Sequence, residues 1–513
     1  MQLLHHVIAD NATKYPTKSA IVLDGITTPY QVLQQHADDV ASLLQTVGIA
    51  TDDRVGLYSA ISVELIAAYL AILQVGAITA ATHHTLSREK LVHQLKDSGT
   101  RVLITDCTEG LPDLIEEVGL ELILLTGPVF AAAPKVIRLA DAIASYRDQN
   151  APAAMPLVID SEQPTSIFYT SGSSFNPKGV LVNHRIMLAA CSRVTEYLQI
   201  KPDDRILSYS TLGSDYGVYN VVMPLFAGAT SVIESRPAST ADDVLAVVER
   251  EAVTAMHVFP PVFSLLANAG PEWQVRVPSL RYISSSGQAL HVRQIQQVRN
   301  VLPRVKLFSS YGLTECKRVS YLPPGQIDER PTSVGKPLPG ISICLVDEQG
   351  RAIDQPGQIG ELLVTSDYLM LEYWNMPEAN AKAFVHDAFG HSRMFRTGDL
   401  FKQDAQGYLY YVARKDDVFA RNIWMVNPLE IEQCLAAHPA VAEVLVVPVA
   451  DESAGHVPRA CIVLAAGHDQ TSEQALLDHC KARLDWHMVP THFVFLEALP
   501  RTDSGKFTTQ GLI

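Results

Sequence analysis

At 513 residues the chain is too long for one ordinary core and should divide into at least two domains. Hydrophobic residues make up 47% and charged ones 19%, the profile of a globular enzyme rather than a disordered or coiled-coil chain. Forty Lys and Arg stand against 55 Asp and Glu, a net charge of −15, which argues against a general nucleic-acid binder because duplex phosphates must be met by a basic surface.

In chain order, the opening MQLLHHVIADNATKYP has no basic segment followed by a sustained apolar run, so no secretory signal is expected. The longest apolar stretch, residues 65–80, is broken and short for a membrane span. Over the first 150 residues, helical stretches (from ATKYPTKSA onward, then VELIAAYLAILQVG) alternate with β runs such as RVGLYSA and RVLITD. A Pro-rich connection, residues 151–164, leads into FYTSGSSFNPKGVLVNH, residues 168–184. RILSYS, SVIES, AMHVF, LRYISSS and VKLFSSYG follow as β segments separated by helical ones such as ADDVLAVVEREA, which predicts an α/β fold with a doubly wound sheet. From Pro337 the text turns β-rich, with Asp-Glu-Gln-Gly and Asp-Ala-Gln-Gly turns. A small α+β domain is expected to begin near Arg414, where NPLEIEQCLAAHPAVAEVLVVPV and ACIVLAA carry their own hydrophobic faces. Seven cysteines, an odd number without a CxxC pair, read as reduced thiols and point to a cytoplasmic protein.

The loop at 168–184 poses the functional question. Backbone amides and hydroxyls of Thr170, Ser171, Ser173 and Ser174 can converge on one anion, and a triphosphate is the obvious candidate. It is not the common phosphate loop: Gly172 to Lys178 has the right spacing, but Pro177 stands where the second glycine belongs and Gly179 where a Ser or Thr would meet magnesium. The segment resembles instead the TSG-[ST]-[ST]-G-x-PKG loop of the adenylate-forming superfamily, which comprises acyl-CoA synthetases, luciferases and the adenylation domains of nonribosomal peptide synthetases. Further motifs resemble that superfamily in its order: SSSGQAL (284–290), YGLTE (311–315), GELLVTSDYLMLEYWNMPEA, FRTGDL (395–400), ARKDD (413–417) and PRTDSGKF (500–507).

The resemblance covers essentially the whole chain and implies a large core, residues 1–413, with a mobile lid, residues 414–513. It implies ATP bound by Thr170, Ser171, Gly172, Ser173, Ser174 and Lys178 at the phosphates, by Gly287, Gln288 and Tyr311 at adenine, and by Asp399 and Arg414 at the ribose. Thr314 would meet the α-phosphate, Glu315 would ligate Mg2+, Lys506 would reach in as the catalytic cation, and Asp416 would be the hinge. An aromatic face, a hydroxyl donor and a hard oxygen ligand suit those tasks. The chain departs from the pattern at Phe175, where the family usually has Gly, at Glu372 before Tyr-Trp, at Thr509, and at Arg421-Asn422, with one extra residue before NPLEIE.

Substrate choice hangs on TLGSDYGVYNVVMPLFAGAT, residues 211–230. Anchored on Gly228-Ala229-Thr230, it lies over the nonribosomal segment in which an aspartate, here Asp215, salt-bridges an amino acid's ammonium. It also resembles a segment of aryl-CoA ligases. An unpaired buried carboxylate is costly, and the neighbours Leu212, Gly213 and Ser214 offer no cation, so an ammonium-bearing substrate is expected. Tyr216, Tyr219, Phe308 and Ser310 would line the rest of a short pocket. The expected acceptor is a phosphopantetheine thiol on a separate carrier protein. Coenzyme A, with an aryl or short acyl substrate, is the alternative. Intact Glu315 and Lys506 speak against a degenerate nucleotide-binding regulator, and nothing in the sequence points to luciferase-like oxygen chemistry.

Overall fold

The computed structural model describes residues 3–127, 134–148, 157–170, 177–287, 290–422, 424–451, 453–502 and 507–512. Within them the chain forms four sheets. The first is built around parallel strands Lys306–Tyr311, Tyr282–Ser285, Ala255–Val258, Arg205–Ser208, Thr230–Ile233 and Ser19–Leu23, in that spatial order. The second runs Glu372–Tyr373, Gly179–Asn183, Pro164–Tyr169, Ile78–Ala81, Arg54–Tyr58, Val102–Thr105, Leu122–Leu125, Val136–Arg138. Strands such as AMHV, TSVI and VLIT are buried at every position because helices cover both faces of each sheet. One core cluster joins both sheets to the helices Val63–Gln74, His184–Leu198 and Asp215–Phe226, and reaches Leu362, Val364 and Phe395 of a third, antiparallel sheet.

The fourth sheet, Trp424–Val426, Phe419–Arg421, Gly455–Leu464 and Val441–Asp451, has its own core of Val426, Ile431, Leu435, Val444, Ile462 and Leu476. Before NPLEIE, Arg421 pairs with Trp424, and Asn422 takes the left-handed conformation (φ 57°) that asparagine tolerates. Among the described residues, no helix is long and apolar enough to cross a membrane. All seven cysteines are free.

The amino terminus differs from its expected reading. The helix is Leu4–Lys14, not the stretch from ATKYPTKSA onward, and SAIVL is the strand Ser19–Leu23. Pro16 disfavours a helical Tyr15, and the β-branched SAIVL finds parallel pairing with Thr230–Ile233.

Close backbone approach sets the entrance of the helix Asp215–Phe226. Ser214 caps it by accepting the Gly217 N–H (3.2 Å). A β-carbon on Gly217 would stand 1.6 Å from the Thr211 carbonyl oxygen, and one on Gly213 would stand 2.4 Å from His83 Cα. Only glycine lets this first turn reach its place. Gly217→Ala is therefore expected to destabilise the protein by about 3 kcal/mol or more, read as a lowered thermal midpoint. Gly325→Ala, where nothing lies within 4 Å, is the near-neutral control.

Candidate functional site

The phosphate-loop segment is the connection of a β-hairpin. Pro164–Tyr169 and Gly179–Asn183 pair antiparallel as far as Tyr169 opposite Gly179, and the Thr170 N–H donates to the Lys178 carbonyl (2.9 Å). Thr170 and Lys178 thus stand at the two ends of a pinched loop. Ser171, Gly172, Ser173 and Ser174 lie outside the described residues, as do Phe175, Gln288 and Lys506. Lys178 Nζ sits 4.8 Å above the centre of the Tyr373 ring, and the Tyr373 hydroxyl donates to Glu315 Oε1 at 2.8 Å. One phenol links the cation of the loop to the acid of YGLTE.

That acid lies on a tight connection at the carboxyl end of the strand Lys306–Tyr311, where open α/β sheets bind ligands. Val319 N–H donates to the Tyr311 carbonyl (2.9 Å), pinching residues 312–318 together. A β-carbon on Gly312 would meet the Lys317 carbonyl oxygen at 1.6 Å, so the turn needs glycine. Within it, Thr314 Oγ1 donates to Asp215 Oδ1 at 3.0 Å.

Asp215 is not unpaired, which corrects the sequence expectation. Lys317 Nζ lies 3.7 Å from Asp215 Oδ2, with only 4% of its side chain exposed, above the rings of Phe168 (4.7 Å) and Tyr219 (5.0 Å). Burial pulls the Lys317 ammonium's pKa below its ordinary value, while Asp215 and Glu315 oppose that shift. The counter-ion comes from a loop about a hundred residues further along the chain, not from the small residues beside the aspartate.

A second cluster forms beside it. The Tyr311 hydroxyl donates to Asp399 Oδ2 (2.5 Å), Arg414 Nη1 donates to Asp399 Oδ1 (3.2 Å), and the Tyr311 ring meets Phe401 edge-on at 4.7 Å. Gly287 ends the strand Tyr282–Ser285 in an exposed bend with φ 103°. Asp416 lies in an exposed turn directly after the strand Leu409–Arg414.

The residues expected to line the acid pocket lie on two neighbouring elements. Tyr216 and Tyr219 project from the first turn of the helix Asp215–Phe226, and Phe308 and Ser310 share one face of their strand. Ser310 Oγ donates to the Ser285 carbonyl (3.2 Å) and accepts from Arg318 (2.7 Å). Lys317, Arg318 and Tyr373 are the residues that sequence reasoning missed. The signal for the first two was a Lys-Arg pair wedged between Cys316 and Val319, both wholly buried.

A hydroxyl, the three carboxylates of Asp215, Glu315 and Asp399, and several cations thus gather near the carboxyl end of a doubly wound sheet, where α/β enzymes bind charged ligands. The chain belongs to the AMP-binding enzyme family, whose model matches residues 8–374; the AMP-binding enzyme C-terminal domain matches residues 430–506. It is 28% identical to a linear gramicidin synthase subunit of Brevibacillus parabrevis, across 99% of this chain and 6% of that protein. It is also 28% identical to novobiocin biosynthesis protein H of Streptomyces niveus, across 97% and 80%. The gramicidin synthase and tyrocidine synthase 1 of the same organism are much longer than this chain, which spans 6% and 44% of them. Similar solved structures include an anthranilate CoA ligase with anthranoyl-AMP (26% identity, TM-score 0.85, 99% of this chain and 95% of that one). The o-succinylbenzoate CoA synthetase of Bacillus subtilis with ATP and magnesium ion is similar too (25%, 0.83, 98% of each).

Burial pushes the Asp399 carboxyl up to about 6 from 3.8, while Arg414 and Tyr311 pull it partly back. With a folded value above the unfolded one, its contribution to stability is fully present below 3.8 and is lost as pH rises through about 6. Carbon-detected NMR should find this carboxyl titrating well above the ordinary aspartate range. Arg414→Ala should raise it further; a value that fell would contradict the assigned cause.

Proposed function

We propose that this chain activates the carboxylate of an amino acid by adenylation, with ATP as second substrate, and passes the acyl group to the phosphopantetheine thiol of a carrier protein. The observation that carries the reading is the hydrogen bond from Thr314 to Asp215. If Thr314 serves the α-phosphate, the attacking carboxylate comes beside it, and the substituent on the neighbouring carbon falls next to Asp215. When Thr314 turns its single hydroxyl proton from Asp215 to the α-phosphate, Asp215 regains that lone pair for an ammonium. Lys317, at 3.7 Å, is too distant to take it by hydrogen bonding. The likeness to a dimodular nonribosomal peptide synthase of Bacillus subtilis (27% identity) supports an amino acid.

In this reaction a carboxylate oxygen forms a bond to the α-phosphorus while the bond to the departing pyrophosphate breaks. Two anions must meet, so fixed cations set the rate. Lys178 and the loop beginning at Thr170 would hold the leaving phosphates, and Lys506 would offset charge at the attacking oxygen. Tyr311 would face the adenine beside the backbone of Gly287 and Gln288. Asp399, kept near Arg414, would accept from the ribose hydroxyls. Among the described residues no three His, Cys, Asp or Glu side chains cluster as metal ligands. A single hard carboxylate, Glu315, oriented through one oxygen by Tyr373, fits a Mg2+ ion held otherwise by phosphates. When bound, the ion would neutralise phosphate charge. The turn at Asp416 would then let the smaller domain exchange faces for thiol attack.

A second reading has a specific observation behind it. If Lys317 is the permanent counter-ion of Asp215, the substrate needs no amine, and an aryl or short acyl group would pass to coenzyme A, as the likeness to CoA ligases suggests.

Two experiments test this account, and the second separates the two readings. Lys506→Ala should slow adenylate formation by about 10²- to 10³-fold yet spare transfer from a preformed adenylate, whereas Asp416→Pro should do the reverse. Equal loss of both half-reactions in either variant contradicts the rotation. Asp215→Asn should lower kcat/KM for the preferred amino acid by roughly two to three and a half powers of ten, matching about 3–5 kcal/mol for a broken buried pair. The matching acid without its amine should be spared. A wild-type preference for such acids, unchanged in Asp215→Asn, selects the CoA-ligase reading.

A further inference from the structure

Arg318 is a buried guanidinium, 7% exposed, that no carboxylate of the described residues meets. Its Nη1 donates to Ser310 Oγ (2.7 Å), and its Cζ lies 5.6 Å from the centre of the Tyr216 ring. The acids around the site are committed elsewhere. Asp215 faces Thr314 and Lys317, Asp204 pairs with Arg281 (2.6 Å), Asp399 with Arg414, and Glu315 with Tyr373. His257, buried nearby, supplies no anion; burial and the Arg318 charge both disfavour its protonation. A lone buried cation is costly, and aromatic faces offset only part of the penalty.

Two further donors nearby lack a hydrogen bond, although Lys317 keeps Asp215 as its ion-pair partner at 3.7 Å. Lys317 Nζ and the Tyr219 hydroxyl are buried without a hydrogen-bond partner among the described residues. Such groups occur elsewhere in the protein too, but here they lie beside a buried guanidinium without a carboxylate, which points to a missing acceptor. Arg318 contacts Ser310 and Tyr216, and Lys317 contacts Tyr219 and Asp215, so these donors face the pocket already assigned to the acid. A planar fork with several N–H donors matches a carboxylate side-on, whereas a neutral apolar side chain would leave it unpaired.

We infer that the pocket selects an amino acid whose side chain ends in a carboxylate, with Arg318 as the residue that determines this specificity by receiving that carboxylate. The inference rests on the amino acid adenylation reading and narrows its substrate class. Asp215 would take the ammonium, Arg318 the side-chain carboxylate, and the remaining carboxylate would be left for the α-phosphorus.

The test is ATP–pyrophosphate exchange by the full chain with aspartate, glutamate, asparagine, glutamine, proline, leucine, succinate, glutarate and benzoate. Aspartate or glutamate should exceed its own amide by at least about tenfold in kcat/KM, since a site built for one polar group rejects its isostere. Arg318→Met should cost that acid on the order of 10²-fold and bring the acid-to-amide ratio toward one, while Arg318→Lys should keep part of it. Purely structural damage would lower both members of the pair and leave the ratio unchanged. The wild-type ratio decides the matter even where a variant fails to fold. A neutral amino acid preferred over both acidic ones overturns this inference and leaves adenylation of amino acids standing. Exchange driven best by benzoate, succinate or glutarate, or by no acid at all, overturns that reading and this inference with it.

Discussion

The hydrogen bond from Thr314 to Asp215 is the contact on which the site depends. It joins a seven-residue connection to the first turn of a helix 99 residues earlier in the chain. The same connection, pinched between Tyr311 and Val319, sends Glu315 to Tyr373 of the second sheet. Tyr311, at its start, reaches Asp399 of the third. Three sheets therefore meet through one turn, and Gly312 and Gly217 are glycines because backbone oxygens occupy the space a side chain would need. A shift in this turn would move the groups assigned to phosphate, metal, ribose and acid together.

The electrostatics follow from the same packing. The chain carries a net charge of −15, yet Lys317 and Arg318 are buried side by side at the pocket, with Asp215 the carboxylate opposing the first. An anion at such a site would supply Arg318 with a partner rather than add to an existing balance. Asp399 shows the complementary case: burial makes its ionisation costly, and Arg414, at the start of the turn that contains Asp416, supplies the compensating cation. Any motion about that turn is thereby coupled to the charge of Asp399.

Much of the fold was legible because its signals are local. Runs such as RILS, TSVI and AMHV announce strands covered on both faces, and the order of the motifs announced the family. The helix Leu4–Lys14 was misplaced because the reading weighed ATKYPTKSA without the barrier at Pro16 and without the distant partner of SAIVL. Thr170 and Lys178 were legible as the two ends of one loop because a β run stands on either side of it. Lys317 was missed for a different reason. A Lys-Arg pair reads as solvated surface, and only the docking of the helix Asp215–Phe226, a long-range event, buries it. The error about Asp215 follows: its counter-ion was sought among its neighbours in sequence, whereas the fold supplies it from across the site. Tyr373 was likewise passed over because its partner Glu315 is 58 residues away.

Transfer of a carboxylate oxygen to the α-phosphorus is the central claim, and isotope transfer tests it most directly. With the preferred acid labelled by ¹⁸O in its reacting carboxylate, hydroxylamine as acceptor and ATP unlabelled, mass spectrometry of the products follows the oxygen. The account predicts one labelled oxygen in AMP and none in pyrophosphate. Label in inorganic phosphate with ADP as the nucleotide product, or unlabelled AMP, would contradict it.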